Sequence, residues 1–324
     1  MHRADYVVKR LAFALMTVFV ALTLNFILFR ALPGTAVSDL SRVPHATPQF
    51  RAELTREFGL DKSLWQQYAI YLKQLVVHAN LGVSFADAQP VRADLAERLK
   101  NTIPMMLIGT LLAIVVGIVS GFVAAWRRGG VIDQASTNLA IVAYALPTQF
   151  IGMVLILAFA AHLPTAGMRN EVENFFSGGS TWASVKDVAK HMILPATTLA
   201  LTLYGEYALI VRSAMLETLG EDYVLTARAK GLPQRRIVVW HALRNAMLPI
   251  ATLVALSLGF IVAGQILVEI VFSWPGIGQA VYAAVANRDY PMLQGAFLVL
   301  TLSVVLFNFI ADIIYVRLDP RITE

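Results

Sequence analysis

Three stretches without a single charged residue, 103–126, 246–268 and 291–311, run 24, 23 and 21 residues. About 20 apolar residues in a helix cross the roughly 30 Å hydrocarbon core of a bilayer. Backbone in lipid must satisfy its own hydrogen bonds, and a helix does so within one segment. The pattern restricts the chain to an all-α membrane protein with several spans. Only 15% of its 324 residues are charged, against about 25% in soluble domains.

Six spanning helices are predicted, near 10–30, 103–126, 136–161, 192–212, 247–270 and 291–316. The first apolar run, 11–29, exceeds a signal-peptide core of roughly 7–15 residues and lacks an A-x-A-like cleavage site, so it reads as an anchor. Positive charge in short loops marks the inner side of a membrane. Segments 1–10, 127–137, 212–246 and 317–324 together hold 13 Lys and Arg, whereas loops 162–191 and 272–290 hold four. Both termini are therefore expected in the cytoplasm. The chain divides into residues 1–101, the first span plus a sizeable external segment, and 102–324, a five-helix core with an inner loop at 213–246.

Trp65, Tyr68, Tyr71, Leu72, Leu75 and Val76 of the external segment recur at helical spacing. They predict an amphipathic helix resting among the lipid headgroups, or else a lid or docking surface for an external partner. The inner loop reads LETLGEDYVLTARAKGLPQRRIVVWHALRNAMLP over 216–249. Asp222 suits a helix start, where the dipole favours an acid. Gly231 supplies a left-handed cap, and Pro233 stops continuation. A short helix, a sharp turn and a second helix from Gln234 are expected. Tyr223, Val224, Ala227 and Leu232 would pack into another protein's groove, ringed by Arg228, Lys230, Arg235 and Arg236; the other reading lays the loop under anionic lipid headgroups.

Several polar residues fall within the apolar runs. A charge near mid-bilayer costs roughly 2.5–3.5 kcal/mol on insertion scales, so Glu206 is expected either to line a pathway or to be neutralised within the bundle, by Arg212 or by a proton. Glu269 is expected at the outer surface beside Trp274, Pro275, Gly276 and Gly278, and Asp312 near the inner surface with Arg317. Asn25 and Asn308 read as interhelical hydrogen bonders. Pro147 and Pro195 read as kinks.

DYVLTARAKG followed by HALRNAMLP resembles the cytoplasmic loop of permease subunits of ATP-binding-cassette importers, in the dipeptide and oligopeptide branch. Other branches carry an EAA triplet three residues before the glycine. Here the triplet is Leu225, Thr226 and Ala227, so the acid is missing. LPGTAV, GLDKSLWQQYAIYL, LGVSF, HMILPATTLAL, FSWPGIG, RDYPMLQG and NFIADIIYVRLDPRI extend the resemblance to nearly the whole chain.

The resemblance implies a type I importer permease in the bacterial plasma membrane. It also implies a homologous second permease subunit, two cytoplasmic ATP-binding subunits and an external substrate-binding protein, with membrane lipids around the assembly. The ATPase-coupling residues would be Asp222, Tyr223, Thr226, Ala227, Arg228, Ala229, Lys230, Gly231, Arg235 and Arg236. Glu206 and Tyr204 would line the substrate pathway, and Trp274, Pro275, Gly276 and Gly278 an external gate turn. Peptides are the expected cargo; nickel chelates and oligosaccharides are the alternatives that the branch also carries.

The chain has no cysteine, which excludes disulfides and thiolate chemistry. Its six histidines are scattered, and neither a metal-binding spacing nor a Ser/His/Asp arrangement stands out, so no metal, cofactor or catalysis is expected here. No G-x-x-x-x-G-K-[ST] stretch occurs to cradle phosphates; ATP and Mg are expected on the partner chains. The net charge of +5 is read as orientation rather than nucleic-acid binding. A self-sufficient channel or secondary transporter would call for internal repeats and ion-coupling charges in broken helices, and neither is evident.

Overall fold

The computed structural model describes residues 3–31, 47–57, 59, 61–170, 181–261 and 265–318. The LPGTAV stretch and the side chains of Asp312 and Arg317 lie outside these. The described regular structure is helical, apart from one antiparallel bridge between Val83 and Pro90. Among the described residues four helices are long and apolar enough to cross a membrane, and a fifth crossing is obtained if one bent pair counts as one span. Their outer faces stay apolar: only 17% of the first apolar window and 22% of the last is buried within the chain. Such surface requires lipid or another subunit against it. Hydroxyls in these helices bond back to the carbonyl four residues earlier, as in Thr17 to Phe13 at 2.8 Å and Thr301 to Phe297 at 2.8 Å. That satisfies the side chain where water is absent.

Two compact units are present. The first gathers residues up to 102, the short stretch that ends at 266, and residues from 275 onward. Its helices are α1 (Arg3–Ala31), α2 (Pro48–Glu57), α3 (Leu64–His78), the start of α4 (Val91–Trp126), and, at the other end of the chain, two helices at Ile277–Asn287 and Tyr290–Leu318. Asn25 donates to the Gln294 carbonyl at 3.0 Å, the interhelical role expected of it, and Phe29 packs on Tyr290 and Phe297. The amphipathic helix expected in the external segment is α3. Tyr68 shares a hydrogen bond of 2.7 Å with Thr23, and both Tyr68 and Tyr71 meet Phe26. The turn between α3 and α4 is held by Asp289, 2% exposed, which accepts from the Ser84 hydroxyl at 2.6 Å and from the Met292 amide at 3.2 Å.

The second unit holds residues 103–261 and 267–274. After the remainder of α4 come α5 (Val131–Ala145), α6 (Thr148–Phe159), α7 (Thr181–Leu219), α8 (Asp222–Ala229) and α9 (Gln234–Arg236). A π-helical stretch at Ile237–Ala242 then leads into α10 (Leu243–Phe260), and α11 (Ile266–Val271) closes the unit. The two C-terminal helices of the first unit are α12 (Ile277–Asn287) and α13 (Tyr290–Leu318).

The expected span at 136–161, read as kinked at Pro147, is more than kinked. It is broken into α5 and α6 with a bend of 107°. Pro147 is the cause: the residue before a proline is pushed from helical to extended backbone, and Leu146 sits at φ −78°, ψ 135°. Pro195, by contrast, lies inside α7 and does not end it. At 39 residues α7 is roughly 58 Å long by a rise of 1.5 Å per residue, far more than a bilayer core. The expected span 192–212 is its middle. The fifth expected span, 247–270, coincides with α10 and α11, with 262–264 outside the described residues.

Glycines set how closely α7 is embraced. A Cβ on Gly117 would meet Tyr207 Cβ and lie 3.2 Å from the Ala208 amide nitrogen; one on Gly121 would meet the Ala208 carbonyl oxygen. On the adjoining face a Cβ on Gly205 would strike the Ala140 carbonyl. Helices in lipid lack a hydrophobic drive toward each other and associate through such small-residue contacts.

Candidate functional site: the α7–α10 loop

The loop 220–233 carries most of the expected site residues. Asp222 opens α8 and faces its positive dipole end. The helix ends in a double closure. Gly231 N–H donates to the Arg228 carbonyl at 2.9 Å, and Leu232 N–H to the Ala227 carbonyl at 3.3 Å. This pairing is the Schellman arrangement, completed by an apolar contact from the residue beyond the glycine; Leu232 supplies it against Val224 and Ala227. Gly231 sits at φ +74°, and a Cβ there would meet nothing within 4 Å. Its requirement is purely conformational. Gly231→Ala is therefore expected to cost about 1–2 kcal/mol, and Gly231→Asn less. A smaller fall in unfolding temperature for alanine than for asparagine, in detergent-solubilised protein, would contradict this.

The expectation that Val224, Ala227 and Leu232 face another protein is corrected. Val224 is 0% and Ala227 5% exposed, and both pack on Ile237 of the same chain with Leu219 and Leu232 at the edge. A helix of eight residues has too few contacts to stand alone, so its apolar face is spent on its own mounting. What remains outward is Leu225, 53% exposed, with Thr226, Arg228, Ala229 and Lys230; Gly231, Arg235 and Arg236 are also exposed. Tyr223 is half outward. Its hydroxyl accepts from Asn245 at 2.7 Å and donates to the His241 carbonyl at 3.4 Å. It thus ties α8 to the π-helical turn, a widened turn that often marks functional positions.

Asp133 and Arg212 form a pair that sequence reasoning did not make. Arg212 Nε donates to Asp133 Oδ1 at 2.6 Å and a terminal nitrogen to Oδ2 at 3.0 Å. Glu206 is thereby left without Arg212. It stays half-buried on α7. The adjacent Tyr204 is corrected as a pathway residue: it is 6% exposed and packed with Ala140, Ala143 and Ala208, so it serves the α5–α7 contact. Nothing in the sequence joins positions 133 and 212. The one available signal was an acid one turn past the Gly129–Gly130 pair, in a loop otherwise basic.

Around the expected gate turn, Glu269 is fully buried within the chain, and its carbonyl accepts from the Trp274 amide at 2.8 Å. Trp274 is fully buried with Phe272, Met105, Met106 and Leu199. Beyond it, the Pro275 carbonyl accepts from Asn101 at 2.9 Å and the Ile277 amide donates to Thr102 at 2.9 Å. Among the described residues no group of three or more His, Asp or Glu side chains is placed to hold a metal.

Residues 113–324 match the family described as binding-protein-dependent transport system inner membrane component, and residues 3–106 match the N-terminal region of such membrane components. The dipeptide transport system permease protein DppB of Escherichia coli (strain K12) is 36% identical over 335 residues, covering 98% of both chains. The di/tripeptide transport system permease protein DppB of Pseudomonas aeruginosa (strain UCBPP-PA14) is 36% identical over 331 residues, and the glutathione transport system permease protein GsiC of E. coli (strain K12) 32% over 321, each again at 98% of both chains. With its apolar helices and near end-to-end matching to permeases, the chain belongs to the family of inner-membrane components of binding-protein-dependent transport systems.

Proposed function

We propose that this chain is the permease subunit of an ATP-driven peptide importer. It crosses the plasma membrane six times, keeps both termini in the cytoplasm and exposes residues 31–101 outside. A homologous permease completes the pathway, two cytoplasmic ATPase subunits supply the work, and an external binding protein delivers cargo. ATP and Mg belong to the ATPase subunits.

The observation that carries this reading is α8. It is a short helix fixed to its own chain by one face while Leu225, Thr226, Arg228 and Lys230 remain outward. An isolated eight-residue helix is marginal in water, so building one at the end of a roughly 58 Å helix makes sense as a surface for a motor to push. Peptide cargo is supported by relatives named for dipeptide, di/tripeptide and glutathione transport. The test is co-expression with the neighbouring transport subunits and reconstitution in vesicles. Uptake of a labelled dipeptide should require both ATP and the ATPase subunits; uptake that persists without them would overturn the reading.

Glu206 belongs to the proposed pathway, since a half-exposed carboxylate at mid-span needs a polar surrounding. Glu206→Gln should lower uptake of peptides with a free amino terminus or basic side chain by roughly threefold to tenfold, in line with a charge-assisted hydrogen bond of about 1.5–3 kcal/mol partly replaced. Equal uptake across cationic, neutral and anionic dipeptides, at wild-type rate, would remove it from the pathway.

A further inference from the structure

The Asp133–Arg212 pair sits where it can do more than hold two helices together. Asp133 is 3% exposed and lies in the first turn of α5. Its four acceptor positions are filled on all sides: Gly129 N–H at 2.9 Å, the Thr137 hydroxyl at 3.2 Å, and the two guanidinium contacts. The carboxylate therefore binds three things at once, namely the 127–130 turn, its own helix and α7. Two-point guanidinium pairing also fixes orientation, which a single point charge does not.

Arg212 occupies the end of α7 that carries α8. Between Leu219 and Asp222 only Gly220 and Glu221 intervene, and both stay hydrogen-bonded to α7, to Glu217 at 3.0 Å and to Thr218 at 3.3 Å. With Val224 buried beside Leu219, α8 is mounted on α7 rather than hung from it. The backbone of α7 meets α5 a second time at Gly205, against Ala140 and Tyr144, about 10 Å along the helix from Arg212. Two attachment points at different heights prevent one helix from rolling or sliding on the other. A buried ion pair is often no more stabilising than apolar packing of the same volume, so stability alone gives little reason for one here.

We propose that Asp133 and Arg212 are positioning residues for transport: they lock α5 to α7, so that displacement of α8 by the motor moves both helices as one body. This rests on the importer reading above, and it extends that reading to a helix outside the α8 loop.

The chain lacks cysteine, so paired labels can be placed in it uniquely. Spin labels at Gln134→Cys and Ser213→Cys, both exposed positions, would be followed in the assembled complex, nucleotide-free and with ATP trapped. The separation should stay constant in the otherwise native chain and shift or broaden when Asp133→Asn is added. A change in the native pair beyond the roughly 1–2 Å of ordinary helix adjustment overturns the proposal. In parallel, peptide transported per ATP hydrolysed should fall roughly threefold or more in Asp133→Asn, and Arg212→Lys should restore less than half of what Arg212→Gln loses, because lysine cannot make the fork. Ratios equal to the native complex in all three variants also overturn it. If the native complex moves no peptide at all, the cargo reading fails, while the label separation still decides the fate of the lock.

Discussion

Gly121→Leu should remove nearly all well-behaved protein from detergent extracts of the membrane. A Cβ at this position falls on the Ala208 carbonyl oxygen and 2.9 Å from Val211 Cβ; Gly117, one turn earlier, faces Tyr207 Cβ and the Ala208 backbone in the same way. Backbone cannot swing aside as a side chain does, so the two helices must part along this seam. Parting forfeits dispersion contacts on both sides, and in lipid little else draws helices together. Overpacking costs about 1–3 kcal/mol; an overlap with backbone that cannot yield stands at the upper end, and each 1.4 kcal/mol is a factor of ten. At least a tenfold loss of monodisperse chain is therefore expected, measured by fluorescence-detected size exclusion of a tagged protein. Gly220→Ala is the control: its Cβ would approach only local carbonyls, at 3.3 Å and beyond, and it should extract normally. Native yield and unfolding temperature for Gly121→Leu would show that the seam is looser than its geometry.

The parts of this structure that local chemistry dictates could be read from the sequence. Apolar runs gave the long helices, because lipid admits little else. The end of α8 followed from Gly231 and Pro233, since a left-handed residue and a missing amide act within a few positions. Other features depend on partners far away in the chain. Asp133 and Arg212 are 79 positions apart, and no periodicity pairs them. Pro147 looked like a kink and proved to be a break, with Leu146 before it driven to extended backbone. The π-helical turn at Ile237–Ala242 has no composition of its own. For α8, spacing identified an apolar face but not its destination; whether Val224 and Ala227 met a partner or their own chain depended on the position of Ile237.

The outward and inward faces of α8 should fail by different routes. Leu225→Asp alters a side chain that is 53% exposed and unused by the fold, whereas Val224→Asp places a charge at a position with 0% exposure, between Leu219, Ile237 and Leu232. The first should leave the chain folded, since exposed substitutions usually change stability within about 0.5 kcal/mol. Yet it should reduce ATP-driven peptide uptake at least tenfold, because a central apolar anchor in an interface is typically worth about 2 kcal/mol or more. The second should unseat α8 itself. An uncompensated buried charge costs several kcal/mol, so assembly with the ATPase subunits and uptake should be lost together, with a lower unfolding temperature. Measuring pull-down of the ATPase subunits, unfolding temperature and uptake on the same preparations separates the two outcomes. If Leu225→Asp retains native uptake, α8 does not meet the motor through its outward face, whatever the stability of the variant.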